Sequence, residues 1–412
     1  MRVVGGIRAL GGAATVWVIG LVAIVALVGG GAPTAADDRP PPLYSDERSS
    51  MRTVSHTWFS GEVCLPSAAA PDLTRLFDVE PGGVIGADYQ RATPIDDTTT
   101  LWTFQDAEVR LPGGGSRLVH NIGAVQVGNC FTMLMSGSRS NPQPWLFAEH
   151  TAPLFRWFWP LGAEVGSDQR LYVFMAEMNE LGEKYLTHVV PSATFVAAID
   201  TDTWDVEWYG QPANGGTDLY GFAIESDDEW TYLFAQCHRQ FGFDPFVFVL
   251  GHDRACADQV TLARVPRGQL LSPPAYWDGT RWQSSPARAA PLIETVGRHA
   301  NPTQIVLHRN QWMAITKLDD WWGQRVVVER ALHPMGPYEL YDERWPDIKC
   351  QECNHYFASW IPTDNENTLT FGLSHNRWDG VASWVYRPTF HTINAPRWQP
   401  GSAARCQLGQ CD

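Results

Sequence analysis

Two aspartates, Asp88 and Asp106, flank a polar turn centred on Asp97. In an antiparallel hairpin, residues equidistant from the turn centre lie opposite each other, so this spacing sets the two carboxyl groups level at the open end. Two carboxylates facing across a short gap are the equipment of glycosidic cleavage, one giving a proton and the other acting as nucleophile or base. Adjacent strands lie ~4.8 Å apart. That favours the ~5 to 5.5 Å carboxyl spacing of a retaining enzyme over the ~6.5 to 9.5 Å of an inverting one. Like charges so close raise one pKa, which leaves the acid its proton at neutral pH.

The same layout recurs four more times. A turn centred on Asp168 sets Trp159 against Glu177, one on Asp228 sets Asp218 against His238, and one on Asn310 pairs Asn301 with Asp319. The fifth hairpin brings His355 near Asn376. Asp and Asn are common at strand ends and turns, which accounts for any single pair but poorly for polar groups at the same height in all five. Ten residues are therefore expected around one cleft, with Asp88 and Asp106 as the catalytic pair. Glu177 or Asp218 is the candidate third acid, and the remaining positions are candidate substrate contacts.

Other chemistries leave no trace. There is no GxSxG elbow, no GxxxxGK[ST] phosphate loop and no HExxH zinc motif. Pro112 to Ser116 (PGGGS) follows a strand with no helix after it and reads as a flexible turn. Cys350 and Cys353 form a lone CxxC without a second pair, so a structural disulfide is expected rather than zinc. No cofactor is expected. The one metal to consider is a structural calcium ion on a channel axis, with Asp319, His375 or Asn376 as its oxygen and nitrogen donors.

The elements that must position these residues are strands. Beyond Tyr44, apolar residues alternate over short runs bounded by Gly, Pro, Asp and Asn, with brief exceptions such as Ala70 to Phe77. The second strands of the five hairpins begin at Leu101, Leu171, Trp230, Trp312 and Leu369. An all-β chain of this size closes its sheets or repeats them radially to avoid exposed edges. The expected fold is thus all-β, a five-bladed β-propeller over residues 53–412. A signal peptide or membrane anchor (1–36) and a Pro-rich polar linker (37–52) precede it. From Ala13 to Ala32 no side chain is charged, as export requires, and the short apolar run leaves cleavage and anchoring both open.

The formal charge of −15 and pI near 5.2 argue against nucleic acid, which needs clustered Lys and Arg. Eight cysteines fit an oxidising compartment with most of them paired; Cys237 with Cys256 and Cys406 with Cys411 are plausible local bridges. Nineteen tryptophans suit packing against sugar rings, although many must be core. The expected partner is a polysaccharide, and the chain is expected to be a monomer.

Gly86 to Val109 (GADYQRATPIDDTTTLWTFQDAEV) resembles the GGD and LWxFGDT motifs of an actinobacterial five-bladed propeller family. That family includes endo-D-arabinanases acting on mycobacterial arabinogalactan and lipoarabinomannan. Further similarity runs in order through Val119 to Gln126 (VHNIGAVQ), Trp159 to Gly162 (WPLG), Leu262 to Pro266 (LARVP), Pro334 to Tyr338 (PMGPY) and Tyr386 to Phe390 (YRPTF). The resemblance implies the same acidic pair, Asp88 and Asp106. The chain reads FQDA where the family reads FGDT, so Gln105 replaces a glycine and Ala107 a hydroxyl beside the acid. Such changes imply a different sugar or a relative without chemistry. Two functions follow: an exported glycoside hydrolase of cell-wall or extracellular polysaccharide, with an arabinan as the candidate glycan, or a non-catalytic carbohydrate-binding or envelope scaffold propeller. Two carboxylates within hydrolytic distance in an open cleft favour the first, and a plugged channel favours the second.

Overall fold

The computed structural model describes residues 57–146, 155–181, 188–212, 218–236, 241–242, 259–294, 303–318, 325–346, 354–363, 365, 367–378 and 384–396. The expectations for 1–36 and 37–52 therefore lie outside the described residues, as do those for His238, Asn301, Asp319 and six of the eight cysteines.

The described chain is all-β. A short strand β1 (Val63–Cys64) leads into the single helical turn α1 (Ala70–Leu73), which Pro71 starts and which buries Ala70 and Leu73. Six strands follow: β2 (Val84–Ala87), β3 (Arg91–Pro94), β4 (Thr99–Phe104), β5 (Ala107–Arg110), β6 (Ser116–Val119), β7 (Ile122–Val127); then β8 (Cys130–Ser138) completes the set. Strands β3, β4, β7 and β8 make the first antiparallel sheet, whereas β2, β5 and β6 make a separate three-stranded side sheet. The PGGGS turn closes the β5–β6 hairpin, where Gly114 and Gly115 take the positive φ that its sharp reversal requires.

Four more sheets follow in chain order. The second holds β9 (Phe155–Val165), β10 (Leu171–Leu181), β11 (His188–Ile199) and β12 (Val206–Gly210). The third is built on β13 (Ala223–Ser226), β14 (Trp230–Gln236), β15 (Gln259–Pro266) and β16 (Ala275–Trp277). The fourth comprises β17 (Gln304–His308), β18 (Gln311–Lys317), β19 (Val326–Ala331) and β20 (Glu339–Arg344). In the fifth, β21 (Asn354–Ile361) pairs β22 (Thr368–Trp378), whose far edge is shared by β23 (Trp384–Tyr386) and β24 (Thr389–Asn394).

The first strand of each sheet packs beside the first strand of the next, and β21 returns to β3, which closes a ring. The fold is propeller-like for an energetic reason. Both faces of each sheet are apolar, so each must be covered by a neighbour. Leu101 and Leu134 of the first sheet meet Val173 and Met175 of the second. Phe234 and Leu262 of the third meet Trp312 and Ala314 of the fourth, and Met313 and Ile315 meet Leu373 and Phe371 of the fifth. Ring closure joins the fifth sheet to the first, with Phe390 edge-on to Trp102 at 5.8 Å.

The Cys64–Cys130 disulfide ties β1 to the start of β8, where the two residues are directly opposed. No other cysteine lies among the described residues, so the bridges anticipated elsewhere are outside them.

Candidate active site

The first hairpin has the expected register. Arg91 opposes Thr103 and Pro94 opposes Thr100, which places the centre at Asp97. The turn is locked by Asp96, whose Oδ1 accepts the backbone N–H groups of Thr98 and Thr99. Just beyond the hairpin's open end, Asp88 N–H donates to the Asp106 carbonyl at 2.9 Å and Gln105 N–H donates to the Asp88 carbonyl at 3.1 Å. The two aspartates are thus held level by backbone bonds.

Their side chains have different surroundings. Asp88 is 5% exposed. Its Oδ1 accepts the Asp106 backbone N–H at 2.9 Å and its Oδ2 accepts the Tyr356 hydroxyl at 2.6 Å. Burial, reinforced by the Asp106 charge, pushes the Asp88 carboxyl well above the usual range against the pull of these hydrogen bonds. Asp106 is more open, with its side chain 14% exposed. Its Oδ1 accepts Trp159 Nε1–H at 3.1 Å and lies 2.9 Å from His120 Nδ1.

An aromatic shell encloses the pair. His120 stacks on Trp157 with ring centroids 4.5 Å apart, and Trp157 meets Trp159 edge-on at 5.9 Å. The Tyr356 hydroxyl oxygen also lies 3.0 Å from Asn376 Oδ1. Burial and the Asp88 charge raise the Tyr356 phenol, so it stays a hydrogen-bond donor. Beneath Asp88, the Arg91 guanidinium is sandwiched over Phe222 at 4.8 Å and Phe357 at 4.7 Å. Burial pushes Arg91 down to about 9, so it remains cationic at neutral pH.

Several expected pairings are displaced by one residue. In the second sheet Leu161 and Gly162 together oppose Phe174, a β-bulge, so Glu177 faces Phe158 while Trp159 faces Ala176. Glu177 pairs with Arg156 at 3.4 Å instead. The third turn is centred between Asp228 and Glu229, and β13 begins only at Ala223. Asp218 therefore sits in an exposed turn before the strand and not opposite a partner. The fourth turn centres between Arg309 and Asn310, since His308 opposes Gln311. In the fifth, His355 faces His375 and Asn376 faces Asn354. The sites brought together are Asp88, Asp106, Trp159 and Asn376. His355 is buried in β21 beside His375, with ring centroids 5.7 Å apart. Of the three calcium donors considered, Asn376 Oδ1 lies 3.0 Å from the Tyr356 hydroxyl, His375 is buried and Asp319 is outside the described residues.

Four further residues were not singled out by spacing: His120, Trp157, Tyr356 and Arg91. His120 lies inside the VHNIGAVQ segment, next to Asn121. The Asn121 amide bonds Leu146 N–H, Leu146 carbonyl and Phe158 carbonyl, tying β7 to the second sheet. Gln105, which departs from the similar propellers, is buried and reaches the Pro160 carbonyl at 3.4 Å.

These features define a propeller-like β protein with an acidic pair in an aromatic setting. The chain belongs to the family described as a domain of unknown function (DUF5005), which matches residues 72–394. No protein of curated function matches its sequence. Among solved structures it is similar to a protein of Bacteroides ovatus ATCC 8483 described provisionally as a hydrolase, with 15% identity, a TM-score of 0.57 and coverage of 87% of this chain and 97% of that one. That likeness shows a shared fold. More distant similarity extends to the catalytic domain of a Coprinopsis cinerea GH62 α-L-arabinofuranosidase (8% identity, TM-score 0.38, covering 83% of this chain and 98% of that one). It extends also to a GH43 β-xylosidase/α-arabinofuranosidase from a compost microbial metagenome (9%, 0.42, 83% and 97%).

Proposed function

We propose that this protein is an exported glycoside hydrolase built on a five-bladed propeller, with Asp88 and Asp106 as its two carboxyl groups. The observation that carries the reading is their unlike surroundings within one hydrogen-bonded pair. Asp88, whose carboxyl burial pushes well above the usual range, is the general acid. Asp106 is the nucleophile: its Oδ1 is fixed by Trp159 and His120, and its Oδ2 has no hydrogen-bond partner among the described residues. In the retaining course that the strand spacing favours, Asp106 Oδ2 bonds to the anomeric carbon as the glycosidic C–O bond breaks. The departing oxygen takes the Asp88 proton. Asp88 then accepts a proton from water, which releases the sugar from Asp106. Trp159 supplies a ring face for the sugar, and an arabinan is the first glycan to try. The uncharged N-terminal stretch supports export, either cleaved or kept as an anchor.

A second reading, a carbohydrate-binding or scaffold propeller, is favoured by one observation: both oxygens of Asp88 are occupied and the side chain is almost fully covered. Incubation of the protein with purified cell-wall polysaccharides separates the two. Release of oligosaccharides that falls by about two to four orders of magnitude in Asp88→Asn and in Asp106→Asn supports the hydrolase. Wild-type turnover by either variant removes that residue from the mechanism, and glycan binding with no release by the wild type establishes the binding module.

A further inference from the structure

A pocket adjoins the acidic pair, walled by β6, the stretch from Pro142 to Leu146, and β9. Its floor is apolar, with Val119, Leu146 and Trp157 buried beneath it. Among the described residues its ionisable lining groups are Arg117, His120 and Arg156. Arg156 pairs with Glu177 and His120 with Asp106, which leaves Arg117 as the lining cation with no carboxylate partner among the described residues.

The arginines are placed to receive an anionic group. Arg156 Nη1 is anchored 3.4 Å from Glu177 Oε1, while its buried Nε–H has no hydrogen-bond partner among the described residues. Arg117 projects from β6, anchored through Nη1 to Asn141 Oδ1. Guanidinium groups bind carboxylate and phosphate through paired N–H donors. His120 and Trp157 belong both to this pocket and to the shell around Asp106. A ring seated in the pocket is therefore one unit away from a sugar at the acidic pair.

We propose that the pocket is a subsite for an acidic sugar unit, its oxyanion held by Arg156 and Arg117 and its ring face laid on Trp157. Its place beside the cleaved bond rests on the hydrolase reading; its binding of an acidic sugar does not. The side sheet exists, on this view, to carry Arg117 to the wall of the cleft.

The test is calorimetric titration of the full-length Asp88→Asn protein, in which turnover is blocked. The ligands are a glucuronate-containing oligosaccharide, a phosphorylated one and a neutral xylo-oligosaccharide of equal length. At least one acidic ligand is expected to bind about tenfold tighter than the neutral one, with the advantage shrinking at high salt. The tighter of the two identifies the oxyanion. Arg156→Met and Arg117→Gln should each reduce the acidic preference severalfold, and Arg156→Lys should restore only part of it, because an ammonium lacks the fork. Equal affinity for all three ligands overturns the proposal, as does an acidic preference that survives both substitutions. If Arg156→Met fails to fold because Glu177 loses its partner, Arg117→Gln decides. Acidic binding by the Asp88→Asn protein, combined with no glycan release by the wild type, sinks the hydrolase and leaves the subsite standing.

Discussion

At the scale of single residues, the site depends on one phenol and one indole. The Tyr356 hydroxyl bond draws the Asp88 pKa down against burial, so Tyr356→Phe should let it rise further. If Asp88 is the acid, the alkaline limb of the kcat/KM profile then moves upward by roughly one pH unit. A limb that stays in place means that some other group titrates. Trp159→Phe keeps the ring face but removes the 3.1 Å bond to Asp106 Oδ1. It should lower kcat/KM about tenfold, the worth of one hydrogen bond to a charged group, with the melting temperature unchanged. A melt that shifts instead would assign Trp159 to the core.

At the scale of elements, two joints can be tested. Cys64 and Cys130 close a loop with a sequence separation of 66. Loss of the bridge in Cys64→Ser should therefore cost roughly 2 to 4 kcal/mol in denaturant unfolding, and a change near zero would show that β8 holds β1 by its ladder alone. Gly221 sits before β13 with φ +94°, and a Cβ there would lie 2.4 Å from Phe174. Its N-terminal neighbour β9 depends on this approach, because Gly162 N–H donates to the Gly221 carbonyl at 2.8 Å within the bulge that re-aims Trp159. Gly221→Ala should destabilise by about 2 kcal/mol or more and weaken glycan binding through Trp159.

At the scale of the whole molecule, stability should depend on pH in two opposed ways. Burial, with the nearby Glu164 charge adding to it, pushes Glu225 up to about 8 from an ordinary value of 4.5. The folded state then binds more protons than the unfolded one across that window, so stability falls as pH rises from about 4.5 to about 8. Burial, with Lys317 and His391 nearby, pushes His355 down to about 4 from 6.5. There the unfolded state binds more protons, and stability falls as pH drops from about 6.5 to about 4. Thermal melts across the range should show Glu225→Gln flattening the alkaline decline and His355→Gln flattening the acid one; parallel curves for variant and wild type would contradict the assignment. Phe390→Ala, which opens the seam between the fifth and first sheets, should cost about 3 to 5 kcal/mol.

Local chemistry made part of this legible. The alternation of apolar residues and the Asp-locked turn at Asp96 involve neighbours in the chain, so the β class, the hairpin starts and the level setting of Asp88 and Asp106 could be read from residue order alone. The bulges in the second and fifth hairpins could not. Leu161 with Gly162, and Tyr356, are each an extra residue in one strand, and turn arithmetic cannot count a residue that the ladder skips. Nor could the partners of the acids be foreseen. Tyr356 reaches Asp88 from 268 positions away and Trp159 reaches Asp106 from 53, because the ring closes by burying one sheet's apolar face on the next. The order of residues determined which groups stand at the hairpin's mouth. Packing between sheets decided which groups Asp88 and Asp106 touch, and so which of the two is the more deeply buried.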